Sequence, residues 1–569
     1  MHKINVHLLL FQKKNFAKKG FTMKKILAIL LTLLLLLNIP VSASAIEVPI
    51  VFSGSDVPVV ALFGDGEAIC DEEGNVLFKF SEILNLFNGS DEENGEESDN
   101  STMEAVINIL QPFLVEGILL DKWDGYYEAL EKEIGDLFTE VRFDKNGECP
   151  NNTDIAPYLK DVMADKMKTD YKAINGSYYV YDYQFWYDWR HDPFKTADDF
   201  HYYIEEIKKT TGCDKVAILA RCLGSTVTMA YIAKYGTDSI YGVAFNGAVI
   251  EGAEIISESI SGKFTIDAEA INRLIGDLSA TGTLNLDNFV SSSIDLAIKS
   301  GLIGTVTETV KNTIYSKVVK GVTSALALST FFTWPGYWAC VSKDDYTNAI
   351  EYVFGDENSS KRTEYAGLIE KIDKYHNEVQ MALPSLYDEI ENSGAKIGVI
   401  AKYGFQLAPI CKSSDQIADQ YATLTKASFG ATTADTIFDT FSDEYIEQRK
   451  AEDKDKYISP DKMVDASTCR FPDYTWFTKN ISHSYWHDFE TALLYKVITA
   501  DTQYTVEDFD CTQFMVHNNE TGEIFPMTEE NCHTESWYKE GKPAESFIGK
   551  FIAFFRALIN WFKALLGRL

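Results

Sequence analysis

The stretch "KVAILARCLGSTVTMAYIAKYG", Lys215 to Gly236, decides the fold. It opens as a short apolar run and turns tightly at Cys222 between two small residues, Ala220 and Gly224. It then continues as a helical segment. Upstream, "SYYVYDYQFWYDWRHDPFKTADDFHYYIEEIKKTTG" (Ser177 to Gly212) reads as a strand, an aromatic loop and a helix with apolar positions three and four apart. Downstream, "IYGVAFNGAV" (Ile240 to Val249) is another strand. Strand and helix alternating at this spacing predict an α/β chain: a mainly parallel sheet with crossover helices on both faces.

The same reading extends outward. "DVPVVALFGDGEAICDEEGNVLF" (Asp56 to Phe78) predicts a buried strand, a Gly-Asp-Gly turn and a hairpin, and "AKIGVIAKYG" (Ala395 to Gly404) and "YTWFTKNISHSYW" (Tyr474 to Trp486) return to strand. Between about Glu251 and Gly394 the alternation stops, and a helical, Ser/Thr-rich segment with the aromatic run "FFTWPGYWACV" reads as an inserted cap. The expected organisation is a first core part over residues 46–250, a cap over 251–394, a second core part over 395–505, a polar linker over 506–546 and a final amphipathic helix over 547–569.

The first 45 residues read as a targeting segment. Met23-Lys24-Lys25 supplies a positive start, Ile26 to Ile39 an apolar run too short to span a bilayer, and Ala43 to Ala45 an A-x-A cleavage site. Residues before Met23 read as an over-extended start or a long n-region. The expectation is export, to the medium or the cell surface. A net charge of -33 argues against nucleic acid, whose phosphates need clustered Lys and Arg. The 9 cysteines are an odd number, which in an exported chain flags one free thiol. No Cys or His spacing suggests a metal site, and no cofactor is implied.

The turn at Ala220-Arg221-Cys222-Leu223-Gly224 occupies the place of a G-x-S-x-G nucleophile elbow, with Cys for Ser. Acyl transfer from such an elbow needs a His to take the proton and an acid to orient the His, in the chain order nucleophile, acid, base. A helix N-terminus and a nearby His favour the thiolate, the attacking form of a cysteine. After the strand ending at Gly404, Asp415 and Asp419 are candidates for the acid; after the strand ending at Asn480, His483 and His487 are candidates for the base. The oxyanion hole should use the backbone N–H of Leu223 and one from the first-strand turn, Asp65 or Gly66.

"FWYDWRHDPFKTADDFHYYIEEIKKTTGCDKVAILARCLGS" resembles the lecithin:cholesterol acyltransferase and lysosomal phospholipase family of α/β-hydrolases. Tyr187-Asp188-Trp189-Arg190 stands where that family carries Tyr-Asp-Trp-Arg, and Leu223-Gly224 matches the end of its G-H-S-L-G elbow. The resemblance implies the α/β-hydrolase fold, a Cys222–Asp419–His483 triad, and Asp188 and Trp189 lining the site mouth. It favours Asp419 over Asp415 and His483 over His487. The chain departs from the pattern at Ala220, Arg221 and Cys222, and at Gln420, where the family's acid is followed by glycine.

The last segment, "FIGKFIAFFRALINWFKALLGRL" (Phe547 to Leu569), sets Lys550, Arg556, Lys563 and Arg568 on one helical face against a wide aromatic and aliphatic one. Such a helix is expected to lie in a membrane surface. The expected activity is hydrolysis or transfer of lipid acyl esters. The alternatives are a catalytically inactive lipid- or surface-binding protein on the same scaffold, and a membrane-active factor whose last helix is the effector.

Overall fold

The computed structural model describes residues 56–79, 121–155, 181–263 and 331–532, less a few positions within these ranges, and a few isolated residues outside them. The expected targeting segment and the final amphipathic helix lie outside the described residues.

Eight strands form one sheet: β1 (Val59–Leu62), β2 (Tyr183–Phe185), β3 (Val216–Arg221), β4 (Ile240–Asn246), β5 (Lys396–Tyr403), β6 (Thr475–Lys479), β7 (Phe514–His517) and β8 (Ile524–Pro526). Their spatial order is β8-β7-β6-β5-β4-β3-β1-β2. Every neighbouring pair is parallel except β7 with β8. The strands read as unbroken apolar runs because both faces are covered. Val60 and Leu62 of β1 and Val216, Ile218 and Ala220 of β3 enter one apolar layer, while Val59, Ala61, Ala217 and Leu219 enter the other.

Helix α1 (Pro193–Thr211) and helix α2 (Gly224–Tyr235) cover the first face. The sequence delimits α1 closely. Asp192 caps it by accepting from the Phe194 N–H at 3.0 Å, Pro193 sits in the first turn, and Gly212 ends it at φ 74°. Its stripe of Phe194, Ala197, Phe200, Ile204 and Ile207 is buried against the sheet. After β4 comes the short helix α3 (Glu254–Ile260); later, helix α4 (Leu383–Asn392) leads into β5, and helix α5 (Asp488–Ile498) follows β6 and covers the second face.

Two boundaries differ from the sequence reading. The segment read as cap, 251–394, is helical where it is described, but its end belongs to the sheet: Leu383, Leu386 and Ile390 of α4 share the apolar layer of α1 and α2. Period 3.6 marks a buried helical face without saying what it is buried against. The segment read as a polar linker, 506–546, carries β7 and β8, which extend the sheet past β6. Strands of four and three residues in a polar context are too short for alternation to show. All nine cysteines are free.

Candidate active site

β1 has β2 on one side and β3 on the other, so the path of the chain reverses direction between β1 and β3. In open α/β sheets, ligands bind beyond the carboxyl ends of the strands at such a reversal. Cys222 stands there, between the end of β3 and the start of α2, at φ 43°. A non-glycine residue in the left-handed region is costly, and such strain collects at functional turns. The turn is held from several directions. The Cys222 N–H donates to the Asn246 carbonyl at 3.3 Å, and its carbonyl accepts from the Ser225 hydroxyl at 2.5 Å.

The small neighbours of the turn have a steric reason. A Cβ on Gly224 would lie 2.1 Å from the Leu62 carbonyl oxygen, and one on Gly64 would lie 2.7 Å from the Leu223 Cβ. The end of β1 is therefore pressed against the residue after Cys222, the arrangement that an oxyanion hole made from two turns requires. Leu223 is in place to contribute; the other two expected contributors, Asp65 and Gly66, lie outside the described residues.

The acid and base arrive from the ends of β5 and β6. Asp419 is fully buried, and its Oδ1 accepts from the N–H groups of Tyr421 and Ala422 at 3.0 and 2.9 Å. Its Oδ2 is 2.7 Å from His483 Nδ1, and the His483 N–H donates to the Asp419 carbonyl at 2.7 Å. Gln420 takes φ 84°, so the turn after the acid keeps a left-handed residue although glycine is replaced.

His483 Nε2 is buried without a hydrogen-bond partner of regular geometry, while Cys222 is close enough to act on the ring's charge. Burial works against the imidazolium, but the Asp419 carboxylate and Cys222 outweigh it, and the His483 pKa is pushed up to about 10. Burial likewise opposes the Asp419 carboxylate, yet His483 and the two backbone donors hold its pKa below the usual range. His483 is thus joined to Asp419 by a hydrogen bond and lies within electrostatic reach of Cys222, and the charged form of the ring is favoured.

The alternatives sit elsewhere. His487 is the cap of α5: its Nδ1 accepts from the Phe489 N–H at 3.1 Å and its Nε2 lies 2.9 Å from the Gly522 carbonyl. Asp415 receives the Ile437 N–H on its backbone carbonyl at 2.8 Å and has no contact with either histidine among those described. Asp188 is buried in a bidentate pair with Arg190, with Nη2 to Oδ2 at 2.6 Å and Nε to Oδ1 at 3.0 Å. Arg190 in turn donates to the Val141 and Thr153 carbonyls. That pair fixes the loop, whereas Trp189 belongs to the same apolar cluster as Cys222, edge-on to Trp334 at 5.6 Å.

Two residues that sequence reasoning missed flank the base. Tyr421 stacks on His483 with centroids 4.6 Å apart, and Trp486 meets it edge-on at 5.9 Å. Neither has a local signal, because each touches His483 only through folding. Cys222 belongs to a large apolar core cluster that also holds Val249, Trp334, Tyr337, Cys340 and Leu407. Among the described residues no group of His, Cys, Asp and Glu could hold a metal ion. None of their helices is long and apolar enough to cross a membrane.

No family model matches the chain, and no curated protein matches it. Among solved structures it matches one titled "The crystal structure of Tle4-Tli4 complex", at 12% identity and a TM-score of 0.22, spanning 61% of this chain and 75% of that one. A likeness at that level carries no argument about function.

Proposed function

We propose that this protein is an exported α/β-hydrolase, similar to the lecithin:cholesterol acyltransferase family, that hydrolyses or transfers acyl groups of lipid esters. The observation that carries the reading is the line Cys222–His483–Asp419. A strained thiol at a strand-to-helix turn lies within electrostatic reach of a histidine whose Nδ1 is held at 2.7 Å by a buried carboxylate. With the proton resting on His483, the Cys222 thiolate attacks the acyl carbonyl, and the Leu223 N–H stabilises the oxyanion. The tetrahedral intermediate collapses to a thioester as the His483 imidazolium protonates the departing alkoxide. Neutral His483 then removes a proton from water, or from an acceptor alcohol, which attacks the thioester and frees Cys222. The apolar character of the cluster that holds Cys222 suits an acyl chain. Residues 1–45 direct export in this reading, and residues 547–569 bring the enzyme to the lipid surface.

The test is ester turnover with p-nitrophenyl acyl substrates. Cys222→Ala and His483→Ala should lose activity by roughly 10³-fold or more while keeping the wild-type circular dichroism, and His487→Ala should not. Full turnover by Cys222→Ala would leave a non-catalytic lipid-binding role as the surviving reading.

A further inference from the structure

The loop that carries His483 runs from β6 to α5, and a buried charge lies beneath it. Lys402, on β5, is fully buried. Its Nζ donates to the Tyr485 carbonyl at 2.6 Å, lies 3.4 Å from Glu490 Oε2, and sits 3.8 Å from the centre of the Trp486 ring. Glu490, in the first turn of α5, is fully buried too. Arg221, the residue before Cys222, approaches the same Trp486 ring at 4.7 Å and donates to the Thr491 hydroxyl at 3.1 Å. The Trp486 indole therefore rests against two cations while its edge meets His483 at 5.9 Å.

Stability does not explain this layer. A buried ion pair adds little net stability, because both charges leave water. Here the pair is also poorly satisfied. Both Glu490 carboxylate oxygens, both polar side-chain atoms of Asn246 and the Thr478 hydroxyl are buried without hydrogen-bond partners. Asn246 pairs with Arg221 and Thr478 with Lys402 across the sheet, so these groups share one face. What the layer does achieve is geometric: one ammonium holds a loop carbonyl two residues after His483 and the aromatic ring three residues after it.

We propose that Lys402, paired with Glu490, is a positioning residue for His483, setting the imidazole against Cys222 through the Tyr485 carbonyl and the Trp486 ring. The inference rests on the nucleophile reading given above. The charged groups facing Lys402 are Glu490, Arg221 and Asp419, and burial pulls its ammonium below the ordinary pKa against the carboxylates' pull. A purely electrostatic influence on the Cys222–His483 pair would have opposite signs when the cation or the anion is removed. A positioning influence has the same sign in both.

The experiment is the rate of iodoacetamide alkylation at Cys222 near neutral pH, read by mass spectrometry of the peptide that contains it, since Cys149, Cys213 and Cys511 are more exposed than the buried Cys222. The full chain is compared with His483→Ala, Lys402→Met, Glu490→Gln and Lys402→Met/Glu490→Gln. The double variant leaves neither charge buried alone, so it keeps the test valid where a single variant fails to fold. His483→Ala should slow alkylation; no change there would sink the nucleophile reading and this inference together. With that control in place, the single variants and the double variant should all be slower by about 10- to 100-fold, the scale expected when a reacting group is misplaced by about 1 Å. Opposite effects in the single variants, or a wild-type rate in the double variant, would overturn the positioning role and leave the nucleophile reading standing.

Discussion

Cys222 and Gln420 are two of eight non-glycine residues, among those described, whose backbone takes positive φ. Both take positive φ, 43° and 84°, at turns that form the two ends of the Cys222–His483–Asp419 line. Left-handed geometry costs a non-glycine residue about 1–2 kcal/mol. At Cys222 no substitution can relieve the strain and keep the thiol. At Gln420 the side chain has no such duty, and the N–H groups donating to Asp419 belong to Tyr421 and Ala422. Gln420→Gly should therefore raise stability by about 0.5–1 kcal/mol, after the greater freedom of unfolded glycine is subtracted. Urea unfolding would measure it. An unchanged or lower midpoint would show that the turn carries no strain to relieve.

At the scale of elements, the turn from β3 to α2 is built by close approach to β1. Gly224 sits where a Cβ would fall 2.1 Å from the Leu62 carbonyl oxygen and 2.8 Å from its carbon. β1 has no room to retreat, because it is hydrogen-bonded to β2 on one side and β3 on the other. Alanine favours a helix over glycine by about 1 kcal/mol, but the steric term is larger here. Gly224→Ala should lower stability by about 1–3 kcal/mol and reduce ester turnover, because the helix must move and carry Cys222 with it. A variant as stable as wild type would mean that α2 can shift without cost. Phe477 of β6 is fully buried and pairs with Phe514 of β7, so the late strands complete the core.

For the whole molecule, charge and the final segment pull in opposite directions. A net charge of -33 repels an anionic membrane, while residues 547–569, read as a helix, would set four basic side chains against an aromatic face. Each large apolar side chain contributes roughly 1.5–3 kcal/mol if fully buried, and less at the shallow depth of an interface. The full chain should therefore sediment with anionic vesicles, and salt should weaken the binding only in part, because the apolar contribution is not screened. A chain ending at Ser546 should stay in the supernatant and hydrolyse a soluble short-chain ester at nearly the wild-type rate. Equal sedimentation of the shortened chain would place the lipid contact in the body of the protein.

By itself the sequence determined the elements whose signal is local. The apolar runs of β1, β3, β4 and β5, the stripe and caps of α1, and the small residues around Cys222 all follow from period, burial and turn chemistry within a few residues. Chain order, the family-like turn at Asp419 to Thr423 and the spacing of His483 before the last core helix were enough to favour Asp419 and His483. Only the tertiary structure decided the rest. That His483 meets Asp419 at 2.7 Å while His487 caps α5 depends on how two loops, 64 residues apart, are brought together. That α4 belongs to the sheet, and that residues 514–526 extend it, depends on which surfaces are left to cover. Lys402 and Trp486 show the limit most clearly. A lysine in a strand and a tryptophan in a loop carry no sequence signal of their contact with each other, because it is created by the sheet that sets β5 beside β6.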